Sequence, residues 1–252
     1  MLLDALVRPG NEYTGKDADK FIIHTLDHIQ SFAPGADIVI RGDSGFAAPA
    51  FYDVCSKRDI YFIVRLKSNA TLNDRANDLF ADTKLNIYDD VSISKELNYR
   101  AKTWSTPYRV VVNAKHKAGE LAFWTYTFVV TNMDSLSSDL LFPVYHDRGN
   151  VENDIKELKN GFGFDKTNSS TFIANAVRAL IGGIAYNLMQ LFKCLLVPKG
   201  TRITAKSLRF KLFHIAGRVT NHAHLVQIHL ASNYHYKNWF FRLLHNIQKL
   251  IL

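Results

Sequence analysis

Between Tyr145 and Lys159 the chain reads YHDRGNVENDIKELK, and its polar residues fall at spacings that suit chemistry on phosphate. Arg148 lies three positions after Tyr145, Glu152 four after Arg148, and Lys159 seven after Glu152. If the segment is helical from Asn150 onward, Glu152, Lys156 and Lys159 share one face, because residues three, four and seven apart stack on a helix. A plain solvated helix held by Glu-to-Lys pairs is the commoner explanation of such a stripe taken alone. A second carboxylate tips the reading toward function. Asp43 comes just after the β-branched run Ile38-Val39-Ile40, past Arg41-Gly42, and is followed by Ser44-Gly45, and open α/β sheets place ligands at the carboxyl ends of their strands. Capping of the helix that follows is the competing role for Asp43. Brought together, Asp43 and Glu152 form a carboxylate pair for Mg²⁺ or Mn²⁺, the apparatus for in-line attack on a phosphodiester. Tyr145, Arg148, Lys156 and Lys159 then hold DNA backbone phosphates, Arg with a two-pronged fork and Lys as a point charge.

The chain has 252 residues, of which 47% are hydrophobic and 21% charged. That is ample for a large globular core. A formal charge of +8 and a pI near 9.4 favour a polyanionic partner, nucleic acid first. Cys55 and Cys194 are far apart, with no CxxC pair, so neither a zinc framework nor a disulfide scaffold is expected, and a reducing cytoplasm fits. No signal peptide is visible. The most apolar segment, Ala179 to Phe192, is short for a membrane span and reads as the buried core helix of a soluble protein.

The elements that must position these residues follow from periodicity. Residues 2–7, LLDALV, read as a short strand. Asp17 to Phe32 reads as a helix, with Phe21, Ile22, Leu26 and Ile29 at helical spacing. Ile38 to Ile40 forms a buried strand, Pro49 to Arg58 a helix, and Tyr61 to Lys67 a second buried strand, so the start of the chain is an α/β core. After a polar stretch from Asn69 to Asp90, the runs at 109–114 and 121–132 read as a hairpin or small antiparallel insertion. Trp104 and Trp124, which lie here, read as core or cross-strand partners rather than base-stacking platforms.

Gly161 to Phe164 carries the glycine stop of the helix bearing Glu152. A long helix follows from Ser170, with Val177, Leu180, Ile184, Leu188, Leu191 and Leu195 on its expected core face, and Pro198 ends it. The segment 199–252 reads as a basic, helical surface tail. Its His222 and His224 lack the partners a metal set needs.

The spacing from Tyr145 through Arg148 and Glu152 to Lys159 resembles the signature of DDE transposases of bacterial insertion sequences, in the Tyr-Arg-Glu-Lys branch. RGDSGF around Asp43, YFIVRLKSNATL and NSSTFIANAVRALIGGIAYNLMQLFK resemble that family too, and the similarity covers about 1–200. The resemblance implies a ribonuclease H-like mixed sheet with flanking helices, interrupted by a β-rich insertion. It implies a core in two parts, 1–68 and 141–198, around an insertion at 69–140, and leaves the tail at 199–252 to the reading from its own residues. It also implies Mg²⁺-dependent (or Mn²⁺-dependent) hydrolysis at transposon ends, strand transfer into target DNA, and paired subunits on two ends. The resemblance further implies action in the bacterial cytoplasm, at the nucleoid. Asp43 and Glu152 take the places of the second and third catalytic acids.

The sequence departs from that pattern at its start. The family carries its first acid on a first strand, and its sheet runs in the order 3-2-1-4-5. Only LLDALV precedes the first helix here, which matches the third strand; Asp4 sits on it but not on the family's catalytic strand. The expectation is an N-terminally truncated copy or half of a split frame, inactive alone, with the edge of the Asp43 strand exposed. Two rivals remain: a non-catalytic remnant that occupies transposon ends, and an active nuclease of the same fold that recruits Asp154 or Asp147.

Overall fold

The computed structural model describes residues 1–12, 15–120, 123–146, 148–201, 203–222 and 225–250, with backbone alone at 148 and 150. The chain divides into two compact units, Arg8–Val151 and Met1–Val7 with Glu152–Leu252.

In the first unit, α1 (Ala18–Phe32) buries Leu26 and precedes the short strand β1 (Val39–Gly42). A single 3₁₀ turn, Ser44–Phe46, leads to α2 (Pro49–Lys57), whose proline at the first helical position has no N–H to leave unsatisfied. Then come β2 (Tyr61–Leu66), α3 (Ala70–Phe80), β3 (Val91–Tyr99), β4 (Tyr108–His116), β5 (Thr125–Thr131) and α4 (Ser138–His146). The five strands form one mixed sheet in the order β1-β2-β5-β4-β3. β1 and β2 are parallel, with Gly42 opposite Val64; every other pair is antiparallel.

Both faces of the sheet are covered, which explains why its central strands are apolar at almost every position. On one face Phe62, Val64, Val110, Val112, Phe128 and Val130 pack with Phe51 and Tyr52 of α2 and Leu72, Ala76 and Phe80 of α3. On the other, Ile63, Val111 and Val129 pack with Leu141, Phe142 and Tyr145 of α4. Trp104 is 6% exposed and lies 5.4 Å from the rings of both Tyr52 and Tyr99. Trp124 lies 5.8 Å from Phe80. Both tryptophans are therefore core partners.

Two elements go beyond the sequence reading. Helix α3 lies inside the stretch taken as polar; Asn69 caps it by accepting from the Leu72 N–H at 2.9 Å, and Leu72, Ala76 and Phe80 recur every fourth residue. Strand β3 carries a period-two pattern through Val91, Ile93, Leu97 and Tyr99 that Lys95 interrupts. Lys95 covers apolar surface with its stem, its ammonium 4.7 Å from the Phe80 ring centre. The β4–β5 hairpin is as read, but β5 pairs directly with β2, so these strands extend the sheet of β1 and β2. β1 is the edge strand of that sheet, and Val39 is 41% exposed rather than buried.

The second unit contains α5 (Arg148–Phe162) from Glu152 onward, α6 (Phe172–Leu196), α7 (Ala205–Phe213), the hairpin β6 (Gly217–His222) with β7 (Leu225–Leu230), and α8 (Lys237–Gln248). Residues 2–7 form no strand here. Their main chain is held by a side chain: Asn187 of α6 accepts from the Leu2 N–H at 2.8 Å and donates to the Leu2 carbonyl at 2.7 Å. The tail is not purely helical either. Its middle is a hairpin in which all but one of the strand residues are exposed. His222 ends β6, whereas His224 lies outside the described residues.

The face of α6 expected in the core is turned outward. Val177, Leu180, Ile184, Leu188, Leu191 and Leu195 are 47% to 62% exposed, and the buried residues are Ala179, Gly182, Gly183, Tyr186 and Leu196. Close approach is the cause. A Cβ on Gly182 would stand 2.9 Å from the Phe162 carbonyl oxygen, and one on Gly183 2.7 Å from Leu2 Cδ2. Only the glycine face lets the end of α5 and residue 2 lie against the helix. By length and composition α6 is also apolar enough to cross a membrane.

Candidate active site

Asp43 leaves β1 in extended conformation and caps the 3₁₀ turn: its Oδ1 accepts from the Gly45 N–H at 2.8 Å. The cap it supplies is thus for Ser44–Phe46, ahead of α2. Gly42 before it permits the turn to fold back, since a Cβ there would stand 3.1 Å from Phe46 Cβ. The Asp43 side chain is exposed, at a cleft of about 500 Å³ lined also by Ser44, Arg65, Lys67, Ser68 and Thr127. Arg65 and Lys67 come from the end of β2, the parallel neighbour of β1, and both are exposed. A carboxylate and two cations meet at the carboxyl ends of two parallel strands. Sequence reasoning missed Arg65 and Lys67, although YFIVRLK signals them by placing charges at alternate positions in an otherwise apolar strand.

Tyr145 is 6% exposed and packs in the apolar cluster of α4 beneath the sheet. The preceding carbonyl, of Val144, accepts from Arg41 Nη1 at 2.7 Å, which ties β1 to the same helix. Asp147 and the side chain of Arg148 lie outside the described residues.

On α5, Glu152, Lys156 and Lys159 are all exposed and share one face, as their spacing requires. Their helix is held from the other side. Leu158 is 4% exposed, and beside it Glu157, which the sequence reading passed over, pairs with Lys193 of α6 at 2.8 Å. Glu157 also accepts from Gln190 at 3.3 Å and from the Ala205 N–H that begins α7. Burial pushes its carboxyl up, but the bonds from Lys193 and Ala205 outweigh that and hold it below the usual carboxylate range. Asp154 faces differently. At about 100° per residue Asp154 lies about 160° round the helix from Glu152, off that stripe, and burial first, then the Asp154 charge, raise the Tyr186 phenol on α6. A groove of about 410 Å³ beside it is lined by Lys156, Glu157, Asn160 and Lys206.

Asp43 belongs to the first unit and Glu152 opens the second. Among the described residues no group of three or more His, Cys, Asp or Glu gathers as a metal set. The donors present are hard carboxylate oxygens. Those suit Mg²⁺, which takes one or two carboxylates and keeps several waters. Thiol chemistry is disfavoured at Cys55, whose buried sulfhydryl is pushed up to about 12 by burial.

The family described as Transposase DDE domain group 1 matches residues 1–252. No curated protein matches the chain. A carboxylate at a strand end, a second on a basic helical stripe, and a family match along the whole sequence converge: the chain belongs to the transposase DDE domain group 1 family.

Proposed function

We propose that the chain is a DNA transposase catalytic domain of ribonuclease H-like type, acting in the cytoplasm on transposon ends and target DNA. Asp43 and Glu152 are the carboxylates that would hold Mg²⁺ or Mn²⁺. When bound, the ion supplies activation of the attacking oxygen and stabilisation of the leaving one. Arg65 and Lys67 beside Asp43, and Lys156 and Lys159 beside Glu152, hold backbone phosphates and set the DNA register. Arg148 is assigned the same task from its place at the start of α5. Tyr145, assigned to a phosphate by the sequence reading, is enclosed beneath the sheet, and its proposed role is instead to anchor α4 ahead of that helix. The observation that carries this reading is the exposed Asp43 carboxylate in a cleft shared with Arg65 and Lys67. A solvated cap has no need of two cations at its side.

Two acids are assigned here, where the family resemblance implies three, and the proposal is that cutting needs a further acid. The test is a nicking assay on a transposon-end duplex with Mg²⁺ or Mn²⁺, run with and without a polypeptide bearing the first acid. Restoration only with that supplement supports the need for a further acid. Robust cutting by this chain alone overturns the expectation of inactivity. The second reading is DNA binding without catalysis, on paired ends as a homo-oligomer, favoured by the exposed cations Arg65, Lys67, Lys156 and Lys159, which such binding needs and which require no metal. It predicts a salt-sensitive gel shift with no cleavage product under every supplement.

A further inference from the structure

Helix α5 has an unusual way of keeping its orientation. From Val151 to Asn160 its one buried side chain is Leu158, while the aliphatic Val151 and Ile155 are 47% and 45% exposed. The helix's other apolar contact is at its last residue, where the Phe162 ring meets Tyr186 of α6 at 5.6 Å, so Leu158 alone does not fix the roll of the turns that carry the stripe. At about 100° per residue, Lys156 lies about 40° and Lys159 about 20° from Glu152, whereas Glu157 lies about 140° away and Leu158 about 120° away on the other side. Glu157 and Leu158 therefore bracket the face opposite the Glu152 stripe. The Glu157 carboxylate is 15% exposed and its partner Lys193 14%. It reaches Nζ of Lys193 with both oxygens, at 2.8 and 3.1 Å, Nε2 of Gln190 at 3.3 Å, and the first N–H of α7. An anion at that N-terminus is also favoured by the helix dipole. Further along, Arg209 donates to the Gly161 carbonyl at 2.8 Å, which fixes the far end of α5, away from Glu152.

We infer that Glu157 is a positioning residue: by clamping α5 to α6 and to the start of α7, it sets the roll that presents Glu152, Lys156 and Lys159 as one outward stripe. The inference rests on the reading of Lys156 and Lys159 as phosphate contacts. It touches no DNA itself.

The test combines two measurements on the whole chain. Binding of a fluorescein-labelled duplex is followed against salt, because the slope of log K on log salt counts phosphates neutralised, at about 0.9 per contact. Hydrogen exchange of the α5 amides is followed without DNA. Glu157→Gln removes a negative charge, so a bystander role predicts tighter or unchanged binding. The clamp predicts the opposite sign: affinity several-fold weaker, a slope smaller by about one contact, and faster exchange across 152–160 with β2 and β5 unchanged. The double variant Glu157→Gln/Lys193→Gln, which leaves net charge untouched, and Glu157→Asp, which keeps the charge but shortens the reach, are expected to lose slope too. A partly unfolded preparation lowers signal amplitude and leaves the slope alone. Unchanged slope together with unchanged α5 exchange in these variants overturns the clamp. Faster α5 exchange in Glu157→Gln, with Lys156→Ala and Lys159→Ala leaving the slope untouched, upholds the clamp and overturns the phosphate reading.

Discussion

Asp43 performs two tasks with one side chain. One oxygen closes a 3₁₀ turn through Gly45, and the exposed carboxylate faces a cleft with Arg65 and Lys67. The tasks separate by substitution. Asn caps as well as Asp, so Asp43→Asn is expected to leave thermal stability within about 0.5 kcal/mol of the parent. Cleavage in a reconstituted system disappears with it, while DNA binding persists or tightens as an anion leaves a basic cleft. Asp43→Ala costs about 1 kcal/mol in addition, from the lost cap. Melting curves and gel shifts on the two variants check both statements.

Glu157 carries a prediction in pH. Its carboxyl is held below its ordinary value of 4.5, so the folded state favours the ionised form. The stabilisation is fully present above pH 4.5 and is lost as the pH falls further, through the depressed value. Melting temperature is therefore expected to drop more steeply below that point in the parent than in Glu157→Gln. At neutral pH, removing one partner of this partly enclosed pair costs about 1.5 kcal/mol, measurable by denaturant unfolding. Glu157 was not legible as special in KELK, since its partners are contributed by α6 and α7.

At the scale of elements, the crossing of α5 and α6 depends on the absence of a side chain. Gly182→Ala places a methyl 2.9 Å from a backbone oxygen of Phe162, and a main chain cannot step aside as a flexible side chain can. A loss of about 1–3 kcal/mol is expected from such overpacking, with the second unit loosening first in hydrogen exchange. The same crossing explains why the Leu and Ile stripe of α6 was misread. Helical periodicity shows that a face is apolar, but it cannot say that another face, small and smooth, allows a closer neighbour. Most other elements were legible. α1, α2, β2 and the β4–β5 hairpin lie within a few residues of where their patterns place them. α3 and β3 were hidden by polar residues on their solvent sides, and the exposed hairpin of the tail by the shortness of its alternation.

For the whole molecule, a charge of +8 and four exposed cations beside the two candidate acids, Arg65, Lys67, Lys156 and Lys159, make DNA affinity a matter of salt. Four phosphate contacts give a slope of about −3.6, so affinity is expected to fall by roughly two orders of magnitude between 50 and 200 mM salt. Anisotropy titrations on duplexes of unrelated sequence measure it, and a flat response would remove DNA from the reading altogether.

From sequence alone came the acids, the basic stripe and the helical register that aligns them, because residue type and spacing along a helix are local properties. The family resemblance was legible for the same reason: a signature of spaced polar residues survives without any knowledge of packing. The tertiary structure decided that β5 joins β2 in one continuous sheet, that α6 buries its glycines and exposes its leucines, and that Glu157 finds Lys193 and the start of α7. Each of these depends on which surfaces approach most closely. Close approach is set by the shape and charge of a partner remote in the chain, and no window of neighbouring residues contains that information.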